Sequence, residues 1–361
     1  MKRINVTKTF LPPIDEYTQV LADVWQSGQL TNGGKYVQKL QEQLIDYLKV
    51  PYLQYVSNGT VALQLALKTL EYDDGEIITT PFSYVASTSA ILWEKFTPVY
   101  VDIEVETFCI DPEKIEAAIT KKTRAILAVH VFGNPCDVIA IEKIAKKYNL
   151  KVIYDAAHAF GVKYQGDSLF NYGDISTCSF HATKLFHTVE GGAVITKDKR
   201  TNEEVDLIRR FGHNNDEHYM LGINAKASEL HAAMGVVNLN YINHIIMSRR
   251  QKYELYLQLL ERVSNITFQT IREDTEYNFS YLPIVFNTET DMRIALDKLN
   301  AIGVFPRRYF YPSLNTIEYV RLKSDASCPV SESIAARILC LPLYVDLNDK
   351  DITKICEVIS K

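Results

Sequence analysis

Short apolar segments alternate with amphipathic segments between residues 55 and 200. The apolar segments are rich in β-branched residues and predict strands at EIITTP (76–81), TPVYVDI (97–103), RAILAVHVFG (124–133), KVIYDAA (151–157), STCSFHA (176–182) and GGAVIT (191–196). The segments between them have helical periodicity and predict helices at VALQLALKTLEY (61–72), ASTSAILWEKF (86–96), DPEKIEAAI (111–119) and VIAIEKIAKKYN (138–149). Strands that are apolar on both faces are typical of a parallel sheet covered by helices on both sides. The pattern therefore predicts an α/β fold with its ligand at the carboxyl ends of the strands.

The pattern changes beyond residue 225. One or two long helices are predicted from Ala225 to about Leu260, and the rest of the chain returns to strands and helices. A chain of 361 residues exceeds the size at which a single hydrophobic core stops growing. We therefore expect a large domain with an N-terminal segment over residues 1–240 and a smaller C-terminal α/β domain over residues 241–361.

Composition and charge exclude several classes of protein. The net charge of -5 gives no general attraction to nucleic acid or to an anionic membrane. The N-terminus lacks the apolar core of a signal peptide, and no segment approaches the roughly 20 apolar residues of a membrane span. The six cysteines form no CxxC pair and several lie in apolar segments, which favours buried, reduced thiols over disulfides or zinc ligands. We expect a cytoplasmic protein without a metal site.

Two segments that follow predicted strands carry candidate binding residues. In SNGTVALQLAL (57–67), Gly59 and Thr60 open a helix, where free backbone N–H groups and a hydroxyl favour an anion such as phosphate. Ordinary helix capping explains the same residues. In PFSYVAST (81–88), Phe82 and Tyr84 are placed to cover a flat ring, although from this segment alone packing in the core is the better explanation.

The segment YDAAHAFG (154–161) places a carboxylate at the end of an apolar strand. A buried carboxylate is costly unless it is paired, and a protonated pyridine nitrogen would pair with Asp155. That contact is how an enzyme turns pyridoxal 5′-phosphate (PLP) into an electron sink. His158 could order either the ring or the carboxylate. The alternative is that Asp155 caps the following turn.

Lys184 lies in an otherwise apolar, small and hydroxylic segment, SFHATKLFHTVEGGA (179–193). An exposed lysine is protonated at neutral pH and is a poor nucleophile, whereas desolvation lowers its pKa and lets it attack an aldehyde. Ser179 and Thr183 supply hydroxyls for a phosphate. Because Asp155 precedes Lys184 at a neighbouring strand end, we predict that Lys184 holds PLP as a Schiff base.

These motifs, together with GINAKASELHAAMG (222–235), occur in the order and at about the spacing of the DegT/DnrJ/EryC1/StrS sugar aminotransferases. The chain resembles that family from LTNGG (30–34) to RRYFYPSL (307–314), and it is similar to the branch that aminates a thymidine-diphosphate-linked (dTDP-linked) 4-keto-6-deoxyglucose. The resemblance implies the aspartate aminotransferase architecture (fold type I), PLP as cofactor and pyridoxamine 5′-phosphate as its amino-carrying form. It also implies L-glutamate as the amino donor and an amino-sugar product destined for O-antigen or another surface glycan.

The resemblance also implies roles for individual residues. Lys184 matches the Schiff-base lysine, Asp155 the partner of the pyridine nitrogen, and His158 the residue beside the ring. The other matched cofactor contacts are the phosphate-binding Gly59, Thr60 and Ser179 and the ring-stacking Tyr84. Asn224 matches a side chain that reaches the phosphate from the partner subunit, which implies a homodimer with shared sites. Thr31, Asn32, Tyr309 and Tyr311 match positions that contact the sugar nucleotide.

Other functions remain as alternatives at this stage. Relatives that act as dehydratases carry histidine in place of the lysine, and Lys184 argues against that reaction. Amination at C3 of a dTDP-3-keto-6-deoxyhexose is the open alternative. A non-enzymatic regulator is disfavoured because the cofactor residues are intact and no DNA-binding module or basic patch is present. A Rossmann dehydrogenase lacks its GxGxxG motif after the first strand.

Overall fold

The computed structural model describes residues 3–322, 324 and 326–361. Its helices are α1 (Ile14–Ser27), α2 (Lys35–Leu48), α3 (Gly59–Lys68), α4 (Val85–Trp93), α5 (Pro112–Ile115), α6 (Val138–Tyr148), α7 (Lys199–Ile208), α8 (Glu229–Leu239), α9 (Ile242–Leu260), α10 (Glu289–Ala301), α11 (Glu318–Arg321), α12 (Pro329–Arg337) and α13 (Asp349–Ile359). Its strands are β1 (Ile4–Asn5), β2 (Tyr52–Val56), β3 (Glu76–Thr79), β4 (Thr97–Tyr100), β5 (Thr123–Val129), β6 (Lys151–Asp155), β7 (Lys163–Tyr164), β8 (Asp167–Ser168), β9 (Ile175–Ser179), β10 (Gly192–Thr196), β11 (His213–Asn214), β12 (Glu217–His218), β13 (Ile266–Phe268), β14 (Thr275–Glu276), β15 (Leu282–Phe286), β16 (Val304–Phe305) and β17 (Ile338–Leu341).

The central sheet has the strand order β2-β10-β9-β6-β5-β3-β4, and all six predicted strands lie in it. Strands β9, β6, β5, β3 and β4 are mutually parallel, which confirms the predicted α/β fold. Strand β10 is antiparallel to both β9 and β2. No helix crosses between β9 and β10. The loop 180–191 instead turns the chain back beside the strand it has just left, and a chain that returns in this way pairs antiparallel.

Helix α3 illustrates why the predicted helices form where they do. Asn58 is its N-cap and accepts a hydrogen bond from the N–H of Val61 at 2.9 Å. Apolar residues follow on almost every face, and Ala62, Leu65 and Ala66 are fully buried. The helix packs against β9 and β10, so its N-terminus lies beside the loop that contains Lys184. Its position is therefore fixed by burial and by a side-chain cap.

A second hydrophobic cluster lies around the antiparallel sheet β13-β15-β17 and helices α9, α10 and α13. The N-terminal strand β1 also contributes to it, because β1 pairs in parallel with β16 and Ile4 is buried in the cluster. The division into residues 1–240 and 241–361 stays a prediction. Each of the six cysteines is buried and free, as predicted. None of the helices in the described ranges has the combined length and hydropathy that crossing a membrane requires.

Candidate active site

A cavity of about 680 Å³ opens at the carboxyl ends of β2, β3, β5, β6 and β9. Most of the residues predicted from the sequence line it: Gly59, Thr60, Tyr84, Asp155, His158, Ser179, Lys184 and Tyr309. They come from separate segments of the chain and meet because the parallel strands end at one edge of the sheet. The cavity is therefore the candidate active site.

Asp155 ends strand β6 and is 6% exposed. Its Oδ2 accepts a hydrogen bond from Ser87 Oγ at 2.7 Å, and its Oδ1 accepts one from the N–H of Ala157 at 3.1 Å. Burial raises the pKa of Asp155, while these two donors and the positive charge of Lys184 oppose that rise. An ionised carboxylate has about four lone-pair sites, so it retains the capacity to accept a proton donor from the cavity.

Lys184 is partly buried in the loop between β9 and β10. Burial lowers the pKa of its ammonium to about 8, although the negative charge of Asp155 acts in the opposite direction. Within the described residues, its Nζ makes no hydrogen bond and no ion pair with another side chain. Lys184 is therefore more often neutral near pH 7 than an exposed lysine is, and its Nζ is not engaged by another side chain of the described residues.

The N-terminus of α3 forms one wall of the cavity. Its first intrahelical bond is donated by Ala62, and Asn58 caps the N–H of Val61, which leaves the N–H groups of Gly59 and Thr60 without a helical acceptor. Ser179 lies against this turn so closely that a Cβ on Gly59 would come within 2.8 Å of its Cβ. Glycine is thus required for the close approach, and the wall presents two N–H donors beside two hydroxyls.

His158 is 8% exposed and is held in an aromatic wall. Its ring lies parallel to those of Phe132 and Phe310, at 6.0 and 5.8 Å between centroids, and tilted against Tyr281 at 4.7 Å. Burial and the charge of Lys184 depress the pKa of His158 well below its usual value. The imidazole is therefore neutral and acts as a rigid polar face of the cavity.

Some lining residues were not predicted from the sequence. Arg307, Tyr281 and Phe310 line the cavity from the C-terminal part of the chain, and Ser87 contacts Asp155 from inside α4. In RRYFYPSL only Tyr309 and Tyr311 were predicted to contact a ligand. The available signal was the arginine pair in that segment, because an exposed guanidinium near an anion cradle suits a second anionic ligand.

The N-terminal segment clamps the loop that contains Lys184. Thr9 Oγ1 donates to the carbonyl of Ala182 at 2.9 Å, and His187 Nε2 lies 2.7 Å from the carbonyl of Phe10. The N–H of Val189 donates to His187 Nδ1 at 3.2 Å, so the proton of this imidazole resides on Nε2 and is donated to Phe10. The loop is thus held on both sides of the lysine.

Four predicted residues lie away from the cavity in the described part of the single chain: Thr31, Asn32, Tyr311 and Asn224. Tyr311 instead lies under the guanidinium of Arg308, at 3.4 Å from the ring centroid. Asn224 is exposed and forms an isolated bridge with Arg210. Their predicted contacts with the sugar nucleotide or with a second subunit stay predictions.

The loop of Thr31 and Asn32 is fixed by Glu229, which is 2% exposed. The Glu229 N–H donates to the carbonyl of Leu30 at 2.9 Å. Its carboxylate accepts hydrogen bonds from the N–H groups of Tyr36 at 2.7 Å and Val37 at 3.0 Å, at the start of α2. The loop is therefore ordered although it lies outside the cavity of its own chain.

No group of three or more histidine, cysteine, aspartate or glutamate side chains that could hold a metal is present within residues 3–322, 324 and 326–361. The cavity instead combines a desolvated amine, a buried carboxylate and an anion cradle. This set fits an organic cofactor that has an aldehyde, a basic ring nitrogen and a phosphate.

Comparisons with known proteins agree with this chemistry. Residues 14–360 match the model of the DegT/DnrJ/EryC1/StrS aminotransferase family. The chain is 40% identical over 353 residues to a dTDP-4-amino-4,6-dideoxy-D-glucose transaminase of Shigella dysenteriae, covering 96% of this chain and 95% of that protein. It is 30% identical over 351 residues to a dTDP-3-amino-3,6-dideoxy-alpha-D-galactopyranose transaminase of Aneurinibacillus thermoaerophilus, covering 96% and 95%.

Among solved structures, that of DesI in the presence of its TDP-sugar product superposes with a TM-score of 0.94 at 29% identity, covering 100% of this chain and 93% of that one. The expected fold type I architecture, with its mainly parallel sheet, is confirmed. By sequence and by fold, this chain belongs to the DegT/DnrJ/EryC1/StrS aminotransferase family.

Proposed function

We propose that this protein is a PLP-dependent aminotransferase that moves an amino group from L-glutamate to a dTDP-linked keto sugar. The observation that carries the proposal is the convergence of Lys184, Asp155 and the N-terminus of α3 in one cavity. Each of the three matches a different functional group of PLP. The product would be an amino sugar for O-antigen or another surface glycan, made in the cytoplasm.

The residues present fit PLP. The N–H groups of Gly59 and Thr60 and the hydroxyls of Thr60 and Ser179 would hold the phosphate, which the helix dipole also stabilises. Asp155 would accept a hydrogen bond from the protonated pyridine nitrogen. Nζ of Lys184 would hold the aldehyde carbon. Tyr84, which is 59% exposed and lines the cavity, would cover one face of the ring, while His158 packs beside it.

Different side chains of the protein would move and hold the protons of the reaction. When bound, PLP supplies an aldehyde that accepts an amino group and a conjugated ring that accepts the electron pair of a breaking Cα–H bond. The amine of Lys184 takes the proton from the substrate Cα as a general base, for which a pKa of about 8 suits neutral pH. The ionised Asp155 keeps a proton at the ring nitrogen. The aromatic wall around His158 excludes water from that side of the site.

We infer that the acceptor is dTDP-4-keto-6-deoxy-D-glucose, which would give the 4-amino-4,6-dideoxy sugar. The inference is supported by 40% identity to a transaminase named for that 4-amino sugar. The relative named for a 3-amino sugar is 30% identical, so amination at C3 of a dTDP-3-keto-6-deoxyhexose is the second candidate. The 4-keto sugar is preferred because of the higher identity over an equal share of the chain.

We also propose that the protein acts as a homodimer in which Asn224 reaches the phosphate in the partner's cavity. Asn224 lies outside the cavity of its own chain and is exposed. It follows a segment with several large exposed apolar side chains, namely Phe211, Tyr219, Met220, Leu221 and Ile223. Leu221 is 76% exposed. Several large exposed apolar side chains close together in the chain are typical of an interface, which supports a second copy here.

The test is incubation of the purified protein and PLP with L-glutamate and a panel of dTDP-linked 3-keto and 4-keto sugars. Mass spectrometry and NMR identify the product and the aminated carbon. We expect 2-oxoglutarate to form together with a 4-amino-4,6-dideoxy sugar nucleotide. Amination only at C3 would establish the second candidate, and no amination of any sugar would overturn the proposed function.

A further inference from the structure

Behind the cavity, two serine hydroxyls form a buried chain of hydrogen bonds that ends on Asp155. Ser87 Oγ lies 2.7 Å from Asp155 Oδ2, and Ser83 Oγ lies 2.8 Å from Ser87 Oγ. The exposed fractions of Ser83 and Ser87 are 3% and 1%. Ser83 lines the cavity, whereas Ser87 lies in the first turn of α4. The chain therefore connects α4 to the end of β6.

The direction of these bonds follows from the number of protons. An ionised carboxylate only accepts, so Ser87 must use its single proton to donate to Asp155. Its oxygen can then accept the proton of Ser83. The carbonyl of Tyr84 also lies 3.3 Å from Ser87 Oγ, but the shorter contact to a charged oxygen is the stronger one. The order of donation is Ser83 to Ser87 to Asp155.

This arrangement matters because burial alone works against the role of Asp155. Desolvation favours the neutral acid, whereas the carboxylate must stay charged to pair with a protonated ring nitrogen. Each oxygen of Asp155 has one protein donor, Ser87 on Oδ2 and the N–H of Ala157 on Oδ1. Two donors on different oxygens fix the plane of the carboxylate and direct its remaining lone pairs.

We propose that Ser87 is a positioning residue for the cofactor, which keeps Asp155 ionised and oriented toward the ring nitrogen, and that Ser83 orients Ser87. The proposal rests on the proposed function, because it assigns these serines to the same PLP site. Neither serine touches the reacting atoms. They affect cofactor binding only through Asp155. The effect is largest in the pH range where the Asp155 carboxylate gains or loses its proton.

The experiment measures the dissociation constant of PLP for the apoprotein from about pH 5 to about pH 9, by absorbance titration. The other titratable or charged groups that line the cavity with Asp155 are Lys184, His158, Cys178, His130, His181, Glu190, Arg307, Tyr84, Tyr281 and Tyr309. They are common to the wild type and the variants. The ratio of the variant to the wild-type constant at each pH therefore removes their contribution.

For Ser87→Ala we expect this ratio to approach one at the alkaline end and to rise several-fold, up to about tenfold, toward the acid end, because loss of the Ser87 donor raises the pKa of Asp155 further. Ser87→Cys, a weak donor of similar shape, should behave in the same way and serves if the alanine variant does not fold. Ser87→Thr keeps the hydroxyl, so its ratio should stay near one across the pH range. Ser83→Ala should give a smaller rise.

The neighbouring Thr88 provides the matched control. It is fully buried in the same helix, and its hydroxyl lies 2.8 Å from the hydroxyl of Tyr100, away from Asp155. Thr88→Ala should give a ratio that does not change with pH. A flat ratio for both Ser87→Ala and Ser87→Cys, or the same slope for Thr88→Ala, would overturn the inference while leaving the function intact. A wild-type protein that fails to bind PLP at every pH would overturn both.

Discussion

At the scale of single residues, the ionisation of Lys184 is the property on which the chemistry depends. The lysine is partly buried and pairs with no carboxylate among the described residues, and burial lowers its pKa to about 8. A positive charge on Lys184 therefore lowers the free energy of unfolding of the apoprotein. Such a cost is typical of a reactive lysine.

This penalty predicts a pH dependence of stability. Because the pKa of Lys184 is lower in the folded than in the unfolded state, its destabilising effect is fully present below pH 8 and disappears as the pH rises toward about 10.5. We expect Lys184→Met to stabilise the apoprotein most below pH 8, with the gain shrinking above it, as measured by urea unfolding. Lys199→Met, at a lysine that is 74% exposed, should show no such trend. A gain that is constant with pH would contradict the account.

Besides Lys184, Arg307 is a charged residue of the cavity whose position suits a contact with a ligand. Its exposed guanidinium lines the cavity, 5.1 Å from the ring centroid of Tyr309, and it pairs with no carboxylate among the described residues. We expect Arg307→Ala to raise the KM for glutamate or for the sugar nucleotide about tenfold or more, while the PLP dissociation constant stays unchanged. Unchanged KM values for both substrates in steady-state kinetics would show that Arg307 binds neither substrate.

Lys184 and Asp155 could be predicted from the sequence, whereas Ser87 could not. Lys184 and Asp155 were identifiable because charged side chains in small or apolar segments are costly and therefore need a reason. Ser87 gave no such signal, since a serine in the first turn of a helix is commonplace. Its contact with Asp155 depends on how α4 packs beside β6, which only the folded structure fixes.

At the scale of elements, the N-terminus of α3 couples helix capping to ligand binding. Asn58 caps the N–H of Val61 and so fixes the turn that presents the N–H groups of Gly59 and Thr60. We expect Asn58→Ala to destabilise the protein by about 1 kcal/mol and also to raise the PLP dissociation constant. Calorimetry and cofactor titration measure the two effects.

Thr288, the N-cap of α10, offers the control for this prediction. It accepts a hydrogen bond from the N–H of Asp291 and lies outside the cavity. Thr288→Ala should cost about the same stability and leave PLP affinity unchanged. If the two variants weakened PLP binding equally, the phosphate would not depend on the first turn of α3.

The elements that the sequence predicted well are those with a strong periodic pattern. Strands β3, β4, β5, β6, β9 and β10 and helices α4, α5 and α6 were predicted to within a few residues, whereas the two-residue strands β7 and β8 were not predicted. The direction of β10 was not, because strand direction depends on the connecting loop rather than on the strand. The pairing of β1 with β16 was also missed, since two residues carry no periodicity and their partners are distant in the chain.

At the scale of the whole molecule, the account predicts that one chain is not enough for a complete site. If Asn224 completes the partner's cavity, chains carrying Lys184→Ala and chains carrying Asn224→Ala should complement each other. A mixed dimer then contains one site with both residues intact. After subunit exchange in an equal mixture, about a quarter of the wild-type activity should return. No recovery, with exchange verified by mass spectrometry, would contradict the shared site.

The fold class and the identity of the cofactor site could be reached from the sequence because both follow from local motifs and strand ends. The clamp of Thr9 and Phe10 on the Lys184 loop and the packing of Phe310 against His158 could not. They depend on contacts between segments more than 100 residues apart, which no local pattern records.

The central claim, that Lys184 holds PLP, is tested most directly by reduction with borohydride followed by peptide mapping. Trypsin does not cleave after a modified lysine, so the label should appear on a single peptide that spans residues 164–197. The account predicts a phosphopyridoxyl group on Lys184 in the wild type and no label in Lys184→Ala. A label on other lysines with Lys184 unmodified, or no label after incubation with PLP, would contradict it.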